Sequence, residues 1–510
     1  MSDPKRLRRV LLFAVAGGLL AVAIGLSLSP RPKDAQKPAE PVVSLPPKTI
    51  PADAVAMSLS AFDEKPVAAF WLDVHDPAKA RQALTTNPWI QQVLREPLGQ
   101  GFVGSWAGFL GTRGEDIQAQ FTGTVQDVIA DRVLSAPFRL VWFGGSGTAG
   151  TPALVLPAAT QRVATAFDLL DRVATRSALT STRCPGEPEP QVDPAKAGET
   201  KPAIVISRWT LAEHSVYAAA RGSRIVLGRH PVTVIQGLCA DIEPMKAAPG
   251  LDLELAVAAE PLGREAQLLG QFVGAGKVAR FGFGIEGAQL VPRGISGQLD
   301  APGRLGSAAM PESLLKVIPE AMPVMLFAQP KLPRQLDAAS LRKHFESKSS
   351  EDLIERSIAV LWRPRGRDDA GTEVAVVWSR IEDEEGLGGI FAGGGNRLLL
   401  RKVCDQLVFA SSTELLDELE ATCAGRKPSM LHAAGPVVAG LKAPTSIGVG
   451  VHLGKLLSQI TLDGYQSSVG QTKGLPAEID QARQRLEELP FMGLRGLVEK
   501  DALVPGGFRS

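Results

Sequence analysis

The sequence predicts an α+β protein in which an N-terminal transmembrane helix is followed by two related lobes of mainly antiparallel sheet, with helices packed on one face. Three observations lead to this fold class. An uncharged apolar run occupies residues 10–29, aliphatic strands come in hairpins between amphipathic helices, and one order of elements occurs twice. A doubly wound parallel sheet is not expected, because regular β-α-β alternation is missing.

The apolar run (VLLFAVAGGLLAVAIGLSLS) is long enough to cross a bilayer, since twenty helical residues rise about 30 Å. Four cations precede it, namely Lys5, Arg6, Arg8 and Arg9. They place a tail of residues 1–9 in the cytoplasm and the bulk of the chain outside the cytoplasmic membrane, in the periplasm or its equivalent. A cleavable signal peptide is the alternative. The anchor is favoured because the run exceeds a signal peptide's usual core and Pro30 follows directly.

Two further features belong to this N-terminal region. Small residues at helical spacing, Ala14, Gly17, Gly18 and Ala21, favour pairing of two membrane helices, so a homodimer is one expected assembly. Residues 30–51 are rich in proline and lack apolar periodicity. This composition is typical of an extended spacer that holds a folded region away from the membrane.

The first exported lobe is predicted over residues 52–300. Apolar spacing predicts helices at 76–84, 115–134, 163–173 and 231–239, the first of them capped by Asp76. Aliphatic runs predict strands at 55–60, 67–74, 138–143, 152–157, 203–209, 216–220, 224–228 and 251–257. A hairpin over 277–301, turning at Glu286 and Gly287, completes the lobe.

A small-residue linker at 301–312 separates this lobe from a second one, predicted over 313–489. Its expected strands lie at 357–362, 372–378, 397–402, 407–411 and 446–451, and its helices at 413–423 and 476–489. A short C-terminal tail, 490–510, is expected to be loosely held.

The two halves share an order of elements in which two strands are followed by a strand–turn–strand–helix unit and a further strand. Aligning Cys239 with Cys423 also aligns Val232 with Leu416, so the apolar helical face is repeated. This pattern favours an ancient tandem duplication. The alternative is that two unrelated α/β segments look alike at this level of detail.

This layout resembles that of uncharacterised bacterial single-pass envelope proteins with a duplicated exported α/β region. The resemblance rests on the anchor at 5–29, on IPADAVA (50–56) before the first strand, and on the paired units that end at Cys239 and Cys423. It implies an envelope location, and it implies neither an activity nor a functional residue.

The four cysteines are Cys184, Cys239, Cys404 and Cys423. Disulfides are permitted in an exported region, and four cysteines allow three pairings. We expect Cys184–Cys239 and Cys404–Cys423, because each bridge then stays within one half of the chain. Four buried free thiols are the alternative, since cysteine packs as a small apolar residue.

Several short motifs match patterns of catalytic or ligand-binding sites, but each is better explained as a structural element. GFGIEG (282–287) has the spacing of a dinucleotide loop, but it leads into a strand and not into a helix. GGGN (393–396) also precedes a strand, so it is better explained as a turn. Ser146 lies in GGSGTAG without the strand-to-helix elbow of a nucleophile. Four consecutive acids at 382–385 cannot surround a calcium ion, because its ligands must come from spaced positions. Arg363 is expected in an exposed loop that reaches Asp369, in which positive and negative side chains neutralise one another.

The six histidines, His75, His214, His230, His344, His432 and His452, do not show zinc-binding spacing. Asp73, His75 and Asp76 could form an oxygen and nitrogen site, but Asp76 is better explained as a helix cap. No catalytic residue, metal site or cofactor is therefore assigned.

The sequence favours a non-catalytic, membrane-anchored envelope protein that presents its exported lobes to an unidentified protein partner. A near-neutral formal charge of +1 over 510 residues argues against nucleic acid as a partner. Two alternatives stay open. One is a binder of lipid or another apolar ligand, and the other is an exported hydrolase whose site is assembled from distant residues.

Overall fold

A computed structural model of the chain describes residues 54–56, 66–86, 136–143, 153–157, 161–181, 183–187, 204–211, 214–228, 230–245, 250–258, 275–287, 289–299, 304–334, 340, 343, 353–364, 372–379, 398–433, 436–452, 454–455, 458, 477–487, 491–499 and 502–505. None of the helices in these ranges is long and apolar enough to cross a membrane. The expected membrane helix, its four flanking cations, the proline-rich spacer and the expected helix at 115–134 lie outside the described residues.

The fold is mixed α+β and consists mostly of sheet. Its strands are β1 (Val55–Ala56), β2 (Ala68–Val74), β3 (Phe138–Phe143), β4 (Ala153–Leu156), β5 (Thr175–Ser181), β6 (Ile204–Leu211), β7 (His214–Arg221), β8 (Arg224–Gly228), β9 (Leu253–Ala258), β10 (Ala275–Glu286), β11 (Gln289–Leu299), β12 (Val324–Ala328), β13 (Lys331–Pro333), β14 (Leu353–Glu355), β15 (Ile358–Pro364), β16 (Thr372–Trp378), β17 (Leu399–Val403), β18 (Gln406–Ala410), β19 (Ile447–His452), β20 (Phe491–Glu499) and β21 (Ala502–Pro505). Its helices are α1 (Pro77–Thr86), α2 (Gln161–Val173), α3 (Pro231–Cys239), α4 (Glu312–Val317), α5 (Thr413–Cys423), α6 (Pro436–Leu441) and α7 (Ala477–Glu487).

The described residues form two compact units. The first unit consists of those up to 261 together with 285–289, and the second consists of those in 275–284 and from 290 onward. In the first unit the hydrogen-bonded strand order is β1-β5-β6-β7-β8-β4-β3-β2-β9, and every neighbouring pair except β1–β5 is antiparallel.

In the second unit the order is β17-β18-β16-β15-β12-β19-β20-β21-β11, with all pairs antiparallel. The main core of this unit lies between the sheet and the helices α4 and α5. Phe327, Leu361 and Val377 of the sheet pack there with Leu315 and Leu419 of the helices. The helices cover the sheet because their apolar stripes meet its apolar face.

Six strands of one unit match six strands of the other in order, direction and register. The order β9-β2-β3-β4-β8-β7 corresponds to β19-β12-β15-β16-β18-β17. Register partners across the first set run through Leu255, Leu72, Leu140, Leu154, Leu227 and Ala218. The corresponding row in the second set is Val449, Leu326, Val360, Val376, Phe409 and Leu400. The helices α3 and α5 follow the corresponding strands β8 and β18.

Hydrogen bonds outside the strands are repeated at the same places. His75 N–H donates to the Asp252 carbonyl at 2.9 Å, and Gln329 N–H donates to the Ser446 carbonyl at 3.0 Å. The Asp252 carboxylate accepts from the Ile285 N–H at 2.5 Å. The Ser446 hydroxyl takes the corresponding role and accepts from the Val498 N–H at 3.0 Å. The structural repeat therefore includes polar contacts as well as the strand order.

Two details differ from the sequence analysis. The N-cap residues His230 and Ser412 occupy equivalent positions, and α5 has 11 residues against 9 in α3. Aligning Cys239 with Cys423 therefore shifts the helices by two residues relative to their caps. In addition, the expected loose tail at 490–510 contains β20 and β21, and β20 pairs with β19 over six residues. Backbone hydrogen bonds along β19 hold this segment in the sheet.

Candidate functional site

The disulfides join the C-terminal ends of the two equivalent helices to neighbouring segments. Cys184 is bonded to Cys239 and Cys404 to Cys423, with Cα atoms 5.6 and 6.6 Å apart. These are the two pairs that the sequence analysis expects, and none of the four cysteines is a free thiol. The Arg221 guanidinium lies 3.3 Å from the Cys184 sulfur, which places that bridge beside the turn between β7 and β8.

The two equivalent turns differ in whether they carry a cysteine of the disulfide. In the first unit Gly222 opens the turn between β7 and β8 with a φ of 62°. In the second unit Cys404 occupies the equivalent position with a φ of 50°. An L-residue adopts this left-handed conformation at a cost that glycine avoids. The second unit therefore places a bridging cysteine where the first has a glycine.

A buried ion pair joins β2 to β3. Asp73 and Arg139 are 1% and 5% exposed, and they face each other across the strand pair. The Arg139 guanidinium binds the Asp73 carboxylate with both Nε and Nη2, the latter at 2.7 Å, and donates to the Glu243 carbonyl at 2.6 Å. The ring of Trp71 lies 5.4 Å from the guanidinium carbon. Each charge is thus compensated by protein groups, as a buried pair requires.

A second polar network corrects the expectation for Arg363. This residue lies at the end of β15, not in an exposed loop, and its guanidinium binds Glu373 and Glu418 at 2.5 Å each. Burial lowers the Arg363 pKa, but hydrogen bonds to Glu418 and Glu373 outweigh it and raise the pKa above its ordinary value. The Ser412 hydroxyl, which caps α5, also donates to Glu373.

The residues weighed for metal or catalytic chemistry are not brought together. Asp73 is bound to Arg139, while Asp76 caps α1 by accepting from the Lys79 N–H at 2.9 Å. His230 caps α3. Burial, followed by the charge of Lys455, lowers the pKa of His452 at the end of β19.

Within the described ranges no three potential ligands form a metal-binding group. Ser146, the acids 382–385, His344 and the GGGN segment lie outside those ranges.

GFGIEG does not form a phosphate loop. Residues 282–286 belong to β10, and Gly287, with a φ of 62°, turns the chain toward β11. A dinucleotide loop has to lead into a helix so that helical N–H groups meet the pyrophosphate. Glu286 and Gly287 therefore form the hairpin turn that the sequence predicts.

A pocket of about 400 Å³ lies at the C-terminal end of α5. We name it the basic pocket, and its lining residues are Lys316, Thr422, Gly425, Arg426, Lys427, Pro428, Ser429 and His432. Lys316 comes from the last turn of α4, and the others come from α5 and the segment after it. Met430 N–H donates to the Ile318 carbonyl at 2.9 Å, which holds that segment against the end of α4.

The backbone at the end of α5 turns into the basic pocket through Gly425, which has a φ of 76°. Gly425 N–H donates to the Thr422 carbonyl at 3.0 Å, and Arg426 N–H donates to the Ala421 carbonyl at 2.9 Å. These two bonds form a Schellman cap that satisfies helical carbonyls which would otherwise be unpaired. Arg426 and Lys427 follow this turn, and both are exposed and line the pocket.

The charge in the basic pocket is strongly positive. Lys427 lies 3.5 Å from Glu418, a carboxylate that Arg363 also holds. Among the described residues, no carboxylate lies within ion-pairing distance of Lys316 or Arg426. The C-terminus of a helix carries roughly half a negative charge. Three full positive charges outweigh it, even with Lys427 partly compensated.

The basic pocket is lined by one hydroxyl, that of Ser429, which no described residue hydrogen-bonds. Ser429 is only 3% exposed, it lines the pocket, and no described residue hydrogen-bonds its side chain. The Thr422 hydroxyl, in contrast, donates to the Glu418 carbonyl at 2.8 Å. A buried hydroxyl is stabilised by a hydrogen-bond partner. Ser429 is thus a donor that a ligand in the pocket can use.

The equivalent segment of the first unit has the opposite charge. After α3 the chain continues with Ala240, Asp241, Ile242 and Glu243, and both acids are exposed. Arg224, from β8, there approaches the Ala240 carbonyl at 3.5 Å. The shared fold therefore does not require the cations of the basic pocket, and they are a property of the second unit.

Comparison with protein-family models, curated proteins and solved structures finds no match for this chain. Of the residues that line the basic pocket, the sequence indicates only His432, as one of six histidines, and it does not indicate Lys316, Arg426, Lys427 or Ser429. The run GRKPS directly after a helix was the available signal, since a glycine there marks a helix end and two cations follow it.

Proposed function

We propose that the chain is a membrane-anchored protein of the bacterial envelope, whose two exported sheet-rich units bind other molecules and do not catalyse a reaction. The observation that carries this proposal is the pair of disulfides. Such bridges persist in oxidising compartments and are rare in the cytosol. An envelope protein of the periplasm or its equivalent, with a further envelope protein as partner, fits that chemistry.

The membrane part of the proposal rests on residues 10–29. The uncharged run has the length of a bilayer span, and the preceding Lys5, Arg6, Arg8 and Arg9 favour an N-terminus on the cytoplasmic side. The proline-rich residues 30–51 would then separate the span from the folded units. Small residues in the run favour a homodimer in the membrane.

The matching strand registers support descent of the two units from one ancestral unit by tandem duplication. Six pairs of strands agree in order, direction and register, and the Asp252 and Ser446 contacts agree as well. Two unrelated sheets that look alike by chance are not expected to agree in strand order, direction and register together. A duplicated scaffold gives two equivalent surfaces that can diverge in charge, as the segments after α3 and α5 have done.

The use of buried charges supports binding over catalysis. Asp73 is bound by Arg139, Asp252 by the Ile285 N–H and by Lys79, and Glu373 by Arg363. Each of these carboxylates thus joins neighbouring elements. A catalytic acid or base instead has to meet substrate in a cleft.

The proposal is tested by fusing two reporters after Ser510. One is a phosphatase that is active only outside the cytosol, and the other is an enzyme active only within it. We expect activity of the phosphatase fusion alone, and its loss when residues 10–29 are deleted. Activity of only the cytosolic reporter in the full-length fusion would contradict the proposal.

A further inference from the structure

We propose that the basic pocket binds the phosphate group of an anionic ligand. The inference deepens the proposed function and rests on it for the ligand's location, since the pocket would face the exported side of the membrane. Three cations, the imidazole of His432 and the Ser429 hydroxyl line one cavity of about 400 Å³. This volume exceeds that of a phosphate group alone and leaves space for the group that carries it.

The chemistry of the lining selects phosphate. Lys316, Arg426 and Lys427 provide N–H donors with positive charge, and charge-assisted hydrogen bonds to phosphate are stronger than neutral ones. Arg426 has the planar fork that matches two phosphate oxygens, while the lysines act as point charges. His432 has an N–H donor in either protonation state.

The Ser429 hydroxyl gives the pocket a donor that no described residue uses. It belongs to a side chain that is 3% exposed and that no described residue hydrogen-bonds. A phosphate oxygen would accept a hydrogen bond from this hydroxyl while the remaining oxygens meet the exposed cations of the lining. The pocket therefore combines positive charge with one directional hydroxyl donor.

A merely structural role does not account for the cluster. Cations near a helix C-terminus stabilise the helix dipole, which is an adequate reason for one of them. The equivalent helix α3, however, is followed by Asp241 and Glu243, and it is still formed. Lys316 lies in the last turn of α4, so it serves the dipole of that helix and is not part of the α5 cap, but the same pocket brings it together with Arg426 and Lys427.

Two sources share this phosphate chemistry, namely a soluble phosphate compound and the headgroup of an anionic lipid. Binding is measured on the full chain in a neutral maltoside detergent, by calorimetry at constant ionic strength. The probes are inorganic phosphate and dihexanoylphosphatidylglycerol, with dihexanoylphosphatidylcholine as the zwitterionic control. Binding of inorganic phosphate assigns a soluble source, and binding of phosphatidylglycerol alone assigns a lipid headgroup.

The decisive variant removes three charges from the pocket through Lys316→Gln, Arg426→Gln and Lys427→Gln. The matched control removes two lysines and one arginine elsewhere in the second unit, through Lys402→Gln, Lys442→Gln and Arg334→Gln. We expect the pocket variant to weaken binding by about a thousandfold, because each of the three charge-assisted contacts contributes roughly tenfold. The control is expected to retain the affinity of the unaltered chain.

Ser429→Ala and the single exposed change Arg426→Gln provide a second measurement if the triple variant does not fold. Each is expected to weaken binding by about tenfold. Absence of saturable binding to both phosphate probes, or equal losses in pocket and control variants, would overturn the inference. Because reporter activity does not depend on the pocket, that outcome would leave the envelope location standing, and failure of the proposed function would show in the reporters instead.

Discussion

Asp73 and Arg139 occupy two facing positions of the first unit at which the second unit has apolar side chains. In the second unit the same two places hold Phe327 and Ala359, which are also direct partners across their strands. A buried ion pair contributes little over an apolar pair of similar volume, but breaking it leaves an uncompensated charge. The two units thus offer a natural comparison of both solutions.

The first prediction follows from this pair. Arg139→Ala alone is expected to lower the free energy of unfolding by about 3–5 kcal/mol, because Asp73 then loses its partner. The double change Asp73→Phe with Arg139→Ala is expected to cost less than this single change, because it restores the pairing seen in the second unit. Urea denaturation followed by circular dichroism measures both. The exposed ion pair between Arg401 and Asp417 is the control, where Asp417→Ala is expected to cost far less than Arg139→Ala.

A larger loss in the double variant than in Arg139→Ala would contradict this reasoning. It would show that packing around β2 and β3 depends on the charges themselves.

The second prediction concerns Cys404, which has a φ of 50° at the place where the first unit has Gly222. Both Cys404→Gly with Cys423→Ala and Cys404→Ala with Cys423→Ala remove the disulfide. The glycine variant is expected to be more stable by about 1 kcal/mol, since a left-handed alanine is strained. Thermal unfolding under identical conditions compares the two. Equal midpoints would show that the turn has no left-handed residue at position 404.

At the scale of elements, the strand β20 gives the clearest difference between sequence and structure. Phe491–Glu499 pairs with β19 on one edge and with β21 on the other. Ser446 strengthens this connection, since its N–H donates to the Gly496 carbonyl at 3.0 Å and its hydroxyl accepts from Val498. The C-terminal segment is thus an internal strand of its sheet.

The third prediction is that truncation before Phe491 destabilises the second unit. Removing β20 and β21 exposes one edge of β19, with its unpaired N–H and C=O groups. We expect a lower midpoint of thermal unfolding and faster proteolysis than in a control truncated after Pro505, which retains both strands. If the two truncated chains unfold at the same temperature, β20 does not contribute to the sheet as described.

Most strands could be predicted because their apolar runs are continuous and bounded by turn residues. Phe138–Phe143, Arg224–Gly228 and Thr372–Trp378 have the expected bounds. The strand β20 was missed because Gly493 and Gly496 interrupt its apolar pattern, and glycine weakens a strand signal. In the sheet these glycines face Gly450 and Ile447 of β19, and that partner is not visible from the local sequence.

The basic pocket was harder to predict because it is assembled from distant segments. Lys316 belongs to α4, while Arg426 and Lys427 follow α5, and only the docking of one helix beside the other brings them together. The same argument explains Arg363, whose partners Glu373 and Glu418 lie on different elements. Local charge counting misses contacts of this kind.

At the scale of the whole molecule, the account depends on oxidation of the four cysteines in the living cell. The loop-entropy relation predicts about 4 kcal/mol of stabilisation for Cys184–Cys239, which spans 55 residues. For Cys404–Cys423, which spans 19 residues, it predicts about 3 kcal/mol. Bridges of this size matter for a protein whose net stability is on the order of 10 kcal/mol.

The most direct test is a thiol count in cells that express the full chain at its natural location. Cells are quenched in acid, and the thiols are labelled with a maleimide of high mass before and after reduction. The account predicts no labelled cysteine before reduction and four afterwards, with Cys184–Cys239 and Cys404–Cys423 recovered as linked peptides. Four labelled cysteines before reduction would contradict the disulfides and the extracytoplasmic role proposed from them.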